Sequence, residues 1–535
     1  ELGACMNYQD TRDSEQLRIL DKSIDTFISG FHPTAQTIIF FPGGLASRLL
    51  RAKAPYKPNI SAPQRFDFDR QEVWLSAWTF GHPELNALKL RMHKEADEFY
   101  HDEDDRIIIA DGCIELAGIT PYDDFSDWCK DNNINLFIFG WDWRRPLGDI
   151  VTFFLDKFLP RLNARLGSAG PLRNFTLVGH SFGGMIVNLI LKSGKPLEGM
   201  TRAITVATPF YGYGGQIHRW FEGEALLNHL GENKIDIIKT LGSLPSSYTL
   251  NWLEENTFNS IREHLGSGPF KVEDYPSRDR ADPFNPPDPD RGGRVRYATG
   301  LGFSVEELKS ARKVCEQLAK DLPEQLAKKF FNIRGVQTGF DGSPLSQTIC
   351  GTNWQLIDPD FDPRNQPSPI TDTLGAGDEV LPAWSTHLVS LPEENRITVQ
   401  GLLHHSFILS SDKVQEALGA LLGLASPTLK VDSALDDEIR KKDVTLEADA
   451  LKFVQELDDL FQNPKGRFPQ VAARLKDGAQ DFVEGLGKFL QDPKSVSVQP
   501  DEILANVLSV AAAARGFSDD RMRSIAHYII MKLCR

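Results

Sequence analysis

The segment Asn174–Leu191, NFTLVGHSFGGMIVNLIL, contains the pattern from which the rest of the chain can be interpreted. Its first residues are apolar or β-branched and predict a short buried strand, and the residues after Gly184 predict an apolar helix. Between them lies the G-x-S-x-G sequence Gly179-His180-Ser181-Phe182-Gly183. A strand, this sequence and a helix in succession predict a nucleophile elbow, a sharp turn that lifts the serine hydroxyl clear of the sheet. The turn crowds the backbone around the serine, and glycine on both sides suits it because glycine has no side chain.

Length and charge limit the class of protein. With 535 residues the chain is too long for one ordinary core, so we expect a large domain, residues 1–425, and a smaller helical domain, residues 426–535. The net charge of −15 argues against nucleic acid as a partner and against attraction to anionic membranes, but not against neutral lipid. No apolar run approaches the roughly 20 residues that span a bilayer. No signal peptide is recognisable, which favours a soluble, cytoplasmic protein over a secreted one, although Leu2-Gly3-Ala4-Cys5 resembles a lipoprotein cleavage site.

Six cysteines are scattered along the chain without a C-x-x-C pair or the spacing of metal ligands: Cys5, Cys113, Cys129, Cys315, Cys350 and Cys534. We therefore expect buried free thiols and no metal site. In an oxidising compartment one disulfide is the alternative, with Cys315 and Cys350 as the pair.

Strand and helix patterns alternate over much of the large domain. Short apolar runs predict strands at 37–41, 107–109, 135–139, 175–178, 203–206, 331–336 and 397–399, and residues 123–131 predict a helix. This alternation predicts an α/β fold whose mostly parallel sheet is covered by helices on both faces. Residues 1–35 are polar, residues 341–375 predict a loop, and Trp143 and Arg144 predict aromatic packing and an internal ion pair.

Two further stretches interrupt or follow the alternation. Residues 210–330 predict an insertion that forms a cap or lid over the site. Its larger side chains either line an acyl pocket or form the cap's own core: Trp220, Phe221, Leu226, Leu227, Trp252, Leu253 and Phe258. Beyond residue 425, apolar residues at helical spacing predict the helical domain, in which no catalytic motif is visible.

Backbone donors for an oxyanion are predicted next to the first strand. The strand at 37–41 runs into Pro42-Gly43-Gly44, and adjacent glycines at a strand end let backbone N–H groups face a ligand. With a G-x-S-x-G elbow, one donor comes from such a loop and the other from the residue after the nucleophile. We assign these donors to the N–H groups of Gly44 and Phe182; a simple turn at the glycine pair is the alternative.

Ser181 needs a neutral imidazole to accept its proton, and the imidazole needs a carboxylate to fix its tautomer. With this elbow the chain order is serine, acid, histidine, and the last two lie on loops at the carboxyl edge of the sheet. Asp378 follows Gly375 and Gly377 at a predicted strand end, and His405 follows the last predicted strand. We assign Asp378 as the acid and His405 as the base.

Other residues compete for these roles. The alternative acids are Asp358, Asp360, Asp372 and Glu379, and the alternative base is His404. His180 adjoins the nucleophile, but the elbow turns its side chain away, so we expect it to pack in the core.

Taken together, these motifs resemble those of the lecithin:cholesterol acyltransferase and lysosomal phospholipase A2 group of α/β-hydrolases. The matching segments occur in the family's order over roughly residues 36–420: IIFFPGGLASRLL (38–50), Val73-Trp74-Leu75, GWDWRRP (140–146), LVGHSFGGMIV (177–187), TVATPFYGYGG (205–215), GDEVLP (377–382) and His405. The chain departs from the family at Gly44 and Trp141, lacks its early lid cysteine pair, and has no family counterpart for residues 282–293 or the helical tail.

The resemblance implies an α/β-hydrolase with a large cap. In it Ser181 is the nucleophile, Asp378 the acid and His405 the base, and Gly44 and Phe182 donate to the oxyanion. It also implies cleavage of acyl esters, often of lipids, and in some members transfer of the acyl group to an alcohol.

We therefore expect a serine hydrolase, an esterase or lipase, that forms an acyl-enzyme on Ser181 without a metal or an organic cofactor. Its expected partner is an ester or a lipid-like small molecule, with contact to a membrane surface left open. Acyl transfer, an amidase, lactonase or polyester hydrolase on the same triad, and a non-catalytic binding protein on a hydrolase fold are the alternatives.

Overall fold

The fold is known from a computed structural model, which describes residues 7–57, 64–69, 71–74, 85–92, 100–114, 121–167, 171–223, 234–250, 304–337, 348–354, 370–388, 390–401, 403 and 405–424. The predicted helical domain, residues 426–535, lies outside these ranges. So do residues 224–233 and 251–303 of the predicted cap.

The described strands and helices follow one another along the chain. The strands are β1 (Thr37–Phe41), β2 (Ser47–Arg51), β3 (Glu72–Trp74), β4 (Leu90–Met92), β5 (Tyr100–Asp102), β6 (Ile108–Cys113), β7 (Asn135–Ile138), β8 (Phe175–His180), β9 (Met200–Val206), β10 (Phe330–Gln337), β11 (Thr348–Trp354), β12 (Ile370–Gly375) and β13 (Arg396–Gly401). The helices are α1 (Tyr8–Ser29), α2 (Leu85–Leu88), α3 (Asp123–Asp131), α4 (Leu147–Phe153), α5 (Leu159–Leu166), α6 (Phe182–Lys192), α7 (Gln216–Glu222), α8 (Lys234–Gly242), α9 (Pro245–Tyr248), α10 (Val305–Ala319), α11 (Glu324–Ala327) and α12 (Asp412–Leu422). A π-helical turn, Phe154–Phe158, joins α4 to α5, and 3-10 turns cover Glu393–Asn395 and His405–Ser410.

A six-stranded sheet forms the centre of the molecule. Its order is β13-β10-β9-β8-β1-β7, and every neighbouring pair is parallel. Six of the predicted strands correspond to these six, which confirms the predicted α/β fold with a parallel sheet. Because parallel strands share one carboxyl edge, the segments after β1, β8 and β13 leave the sheet on the same side.

Helices cover both faces of this sheet. Ile39, Phe41 and Leu177 point to one face, where they join the core with residues of α1, α4 and α6. Ile38 and Phe40 point to the other face, where α3 and α12 pack. This alternation explains why β1 and β8 are apolar throughout: both of their faces are buried.

Three features differ from the sequence-based expectations. The polar segment at the start contains the 22-residue helix α1. The predicted loop 341–375 contains the antiparallel hairpin of β11 and β12. The strand predicted at 107–109 is β6, which pairs with β2 in a separate antiparallel sheet.

The alternative of a disulfide between Cys315 and Cys350 is wrong, because the structure shows both as buried thiols with no disulfide between them. The Cys315 thiol contacts the carbonyl oxygen of Thr249, and the Cys350 thiol contacts that of Ala376. None of the described helices combines the length and the apolar character that crossing a membrane requires.

Candidate active site

Ser181 lies on a sharp turn between β8 and α6. Its backbone adopts φ 52° and ψ −126°, a conformation that residues other than glycine rarely adopt. The neighbouring glycines permit this turn: a methyl group on Gly183 would lie 2.2 Å from the Phe41 carbonyl oxygen, and one on Gly179 would lie 2.6 Å from the Gly184 Cα. The Ser181 N–H donates to the Val206 carbonyl oxygen at 2.9 Å and ties the turn to β9.

His405 connects the serine to a carboxylate. It is the first residue of the 3-10 turn after β13, and its Nε2 lies 2.8 Å from Ser181 Oγ. Its Nδ1 lies 2.7 Å from Asp378 Oδ2. An ionised carboxylate only accepts hydrogen bonds, so Nδ1 carries the proton and Nε2 accepts the serine hydroxyl.

Asp378 is fully buried and its carboxylate is held on both oxygens. While Oδ2 meets His405, Oδ1 accepts the backbone N–H groups of Val380 at 3.2 Å and Leu381 at 2.7 Å. The Asp378 carbonyl oxygen also accepts the His405 N–H at 3.1 Å. Acid and histidine are therefore joined through backbone and side chain.

The alternative acids and the alternative base either have other partners or lie outside the described residues. Asp372 is on β12 and pairs with His218 of α7 at 2.8 Å. The side chain of Glu379 accepts a hydrogen bond from Gln337. Asp358, Asp360 and His404 lie outside the described residues.

The two predicted oxyanion donors lie beside the elbow. A methyl group on Gly43 would lie 3.2 Å from Ser181 Cβ, and one on Gly44 would lie 3.1 Å from the Phe182 ring. Within the described part of the chain, the N–H groups of Gly44 and Phe182 have no hydrogen-bond acceptor. Phe182 also opens α6, so the positive end of the helix dipole points to the same region.

Three buried tryptophans hold the loop after β1. Their indole N–H groups donate to carbonyl oxygens along this loop and at the start of β2: Trp141 to Pro42 at 2.9 Å, Trp74 to Leu45 at 2.7 Å and Trp143 to Ser47 at 3.2 Å. The sequence motifs contained these tryptophans but gave no sign of their acceptors. The loop that carries Gly44 is thus fixed by its surroundings.

Trp143 and Arg144 have the structural roles predicted for them. The Trp143 ring packs against the Trp74 ring with centroids 5.2 Å apart. The buried Arg144 guanidinium forms ion pairs at 2.8 Å with Asp102 and with Asp142.

The prediction that His180 merely packs in the core is incomplete. The ring is buried, but Nδ1 lies 2.9 Å from the hydroxyl of Tyr122 and Nε2 lies 3.0 Å from the His405 carbonyl oxygen. Tyr122, the residue before α3, was missed because its contacts join segments far apart in the sequence.

Comparisons with known proteins add little to this geometry. No protein-family model matches the sequence, and no curated protein matches it. Among solved structures, a chain of the Tle4–Tli4 complex is similar, with a TM-score of 0.41 and 13% sequence identity over 73% of this chain and 98% of that chain. A likeness this distant carries no argument about activity, so the function must be inferred from the site itself.

Proposed function

We propose that this chain is a serine hydrolase with an α/β-hydrolase fold and that it cleaves acyl esters. In this proposal Ser181 is the nucleophile, His405 the general base and Asp378 the acid that orients the histidine. The observation that carries the proposal is the His405 ring, whose two nitrogens lie 2.8 Å from Ser181 Oγ and 2.7 Å from Asp378 Oδ2. The motif resemblance to the lecithin:cholesterol acyltransferase and lysosomal phospholipase A2 group supports an ester, and among esters a lipid, as the substrate.

The first half of the reaction acylates the serine. Ser181 Oγ attacks the ester carbonyl carbon while its proton passes to His405 Nε2, and the ionised Asp378 stabilises the imidazolium that results. The oxyanion of the tetrahedral intermediate accepts hydrogen bonds from the N–H groups of Gly44 and Phe182. Collapse of the intermediate breaks the bond to the alcohol, which leaves with the proton from His405.

The second half releases the acyl group. Water, or an alcohol in the case of transfer, gives its proton to His405 Nε2 and attacks the acyl-enzyme carbonyl. The same two N–H groups stabilise the second oxyanion. The acid or the new ester departs, and Ser181 recovers its proton.

The test compares wild type with Ser181→Ala on short and long p-nitrophenyl esters, and labels both proteins with a fluorophosphonate. We expect wild type to turn over the esters and take up the label, and Ser181→Ala to lose about a thousandfold or more in kcat and all labelling. Ser193→Ala, just beyond the far end of α6, is the matched control and should behave as wild type. Equal turnover by wild type and Ser181→Ala would refute the proposal.

A further inference from the structure

Three hydrogen bonds link the loop after β1 to the backbone of His405 through two side chains that the proposed mechanism does not use. The Gly43 N–H lies 2.8 Å from Tyr122 Oη, Tyr122 Oη lies 2.9 Å from His180 Nδ1, and His180 Nε2 lies 3.0 Å from the His405 carbonyl oxygen. Tyr122, His180 and His405 are all buried. We call this chain of contacts the Tyr122–His180 relay.

The ends of the relay determine where its protons lie. A backbone N–H can only donate and a carbonyl oxygen can only accept. Tyr122 therefore accepts from Gly43 and donates to His180 Nδ1, and the neutral imidazole carries its proton on Nε2, from which it donates to His405. A charged His180 would offer Tyr122 an N–H in place of an acceptor and would break the sequence of bonds.

The surroundings favour this neutral state. Burial, and then the neighbouring His405 ring at a centroid distance of 4.9 Å, lower the pKa of His180 well below its usual range. Burial raises the pKa of Tyr122 above its usual value. Both side chains therefore stay uncharged while His405 gains and loses a proton.

The relay also fixes one peptide plane. The Pro42 carbonyl oxygen accepts from the Trp141 indole, and the Gly43 N–H of the same peptide unit donates to Tyr122. The unit is thus held at both ends, immediately before the N–H of Gly44. A methyl group at position 43 would lie 3.2 Å from His180 Nδ1 and 3.3 Å from Tyr122 Oη, so a larger residue there would press on both members of the relay.

We propose that Tyr122 and His180 are positioning residues that hold the oxyanion loop and the catalytic histidine in a fixed relation to each other. This inference rests on the proposed function. Neither residue is hydrogen-bonded to Ser181 Oγ or to the His405 ring: the relay ends on the backbone of Gly43 on one side and of His405 on the other. The transition state needs both ends in place at once, so loss of the relay should lower kcat more than it changes KM.

Tyr122→Phe removes the hydroxyl at the centre of the relay and keeps the ring. We expect kcat for p-nitrophenyl esters and the rate of fluorophosphonate labelling to fall about 10- to 100-fold, with KM little changed, because small misplacements of catalytic groups have effects of this size. The matched control is Tyr248→Phe, since the buried Tyr248 hydroxyl also donates to one group, the Gly242 carbonyl, and accepts from another, the Ser304 N–H. Circular dichroism melts should show similar losses of stability for both variants.

If Tyr122→Phe has the same kcat as Tyr248→Phe, the inference is overturned, whereas the proposed function is not affected. If the proposed function fails, the pattern is different, because wild type itself then neither hydrolyses esters nor takes up the fluorophosphonate.

Nitrogen NMR tests the relay without any activity measurement. Side-chain ¹⁵N–¹H spectra of the labelled wild type at pH 7.5, with His180→Gln used to assign the ring, should show a neutral imidazole protonated on Nε2. In Tyr122→Phe the Nδ1 resonance should move as that nitrogen loses its donor. A proton on Nδ1, or a doubly protonated ring, in the wild-type protein would overturn the inference.

Discussion

At the scale of single residues, the site depends on one unfavourable backbone conformation. Ser181 at φ 52° costs about 1–3 kcal/mol relative to an ordinary conformation. The surrounding structure maintains it: the Ser181 N–H is bonded to Val206, and the glycines at 179 and 183 leave room for the turn. The result is a hydroxyl that projects toward His405 at the start of a helix.

Asp378, the assigned acid, and Asp372, one of its alternatives, can be separated by the same substitution. Asp378→Asn should lower kcat by about 10⁴-fold, because an amide at this position no longer selects the Nδ1–H tautomer of His405. Asp372→Asn should keep most of the wild-type activity, since Asp372 pairs with His218. Ester turnover by the two purified variants, measured side by side, checks this prediction. Equal losses would show that the Asp378 contact with His405 does not distinguish the acid.

Sequence reasoning located the elbow serine because its signal is local: five residues between a strand and a helix. Chain order and strand ends favoured Asp378 and His405 as its partners, and the structure places the side chains of these two residues 2.7 Å apart. The relay gave no such signal, since the Tyr122 hydroxyl meets His180 from 58 positions away in the sequence. Only the folded chain brings those two segments together.

At the scale of elements, a strand or helix could be predicted from the sequence when the side chains that it buries are apolar. The strands of the central sheet are apolar on both faces, and their pattern is visible in the sequence. Helix α1 also has one buried face, but that face includes the polar residues Arg12, Asp13 and Gln16. A buried face that contains polar residues leaves no hydrophobic periodicity in the sequence, so this helix could not be recognised.

The packing of α6 against β1 gives a test of the elbow. Gly183→Ala should destabilise the protein by about 2 kcal/mol or more, because the new methyl group would meet the Phe41 carbonyl oxygen. Gly148→Ala is the matched control: it lies in α4 with no heavy atom within 4 Å of the added carbon, and should stabilise by about 0.5–1 kcal/mol. Urea unfolding of both variants measures the difference. An unchanged midpoint for Gly183→Ala would mean that the elbow tolerates a larger residue.

At the scale of the whole molecule, a buried group of charges joins segments that are distant in the sequence. Asp142, just after β7, forms ion pairs with Arg12 of α1 at 3.1 Å, with Arg144 at 2.8 Å and with Arg145 at 3.2 Å. The two latter arginines also reach Asp102 of β5. These contacts connect α1 and β5 to the segment that carries Trp141 and Trp143, two of the three tryptophans that hold the loop after β1.

The ionised state of Asp142 should be visible as a pH-dependent stability. Burial acts to raise the pKa of Asp142, but Arg144 and then Arg12 and Arg145 outweigh it and hold that pKa below its usual value of 3.8. A carboxylate with a lowered folded-state pKa stabilises the fold above the unfolded value, and this contribution is lost as the pH falls through the folded value. Asp142→Asn should therefore lower the free energy of unfolding at pH 7 by about 3–5 kcal/mol.

The difference in free energy of unfolding between wild type and Asp142→Asn should then decrease as the pH falls below about 4, because there Asp142 becomes protonated in the unfolded chain. Urea unfolding at pH 7 and pH 3 measures it. Asp156→Asn, which breaks an exposed pair with Lys195, should cost less than about 1 kcal/mol at either pH. A gap of the same size at both pH values would show that packing around position 142, and not its charge, connects α1 to the loop that supports the site.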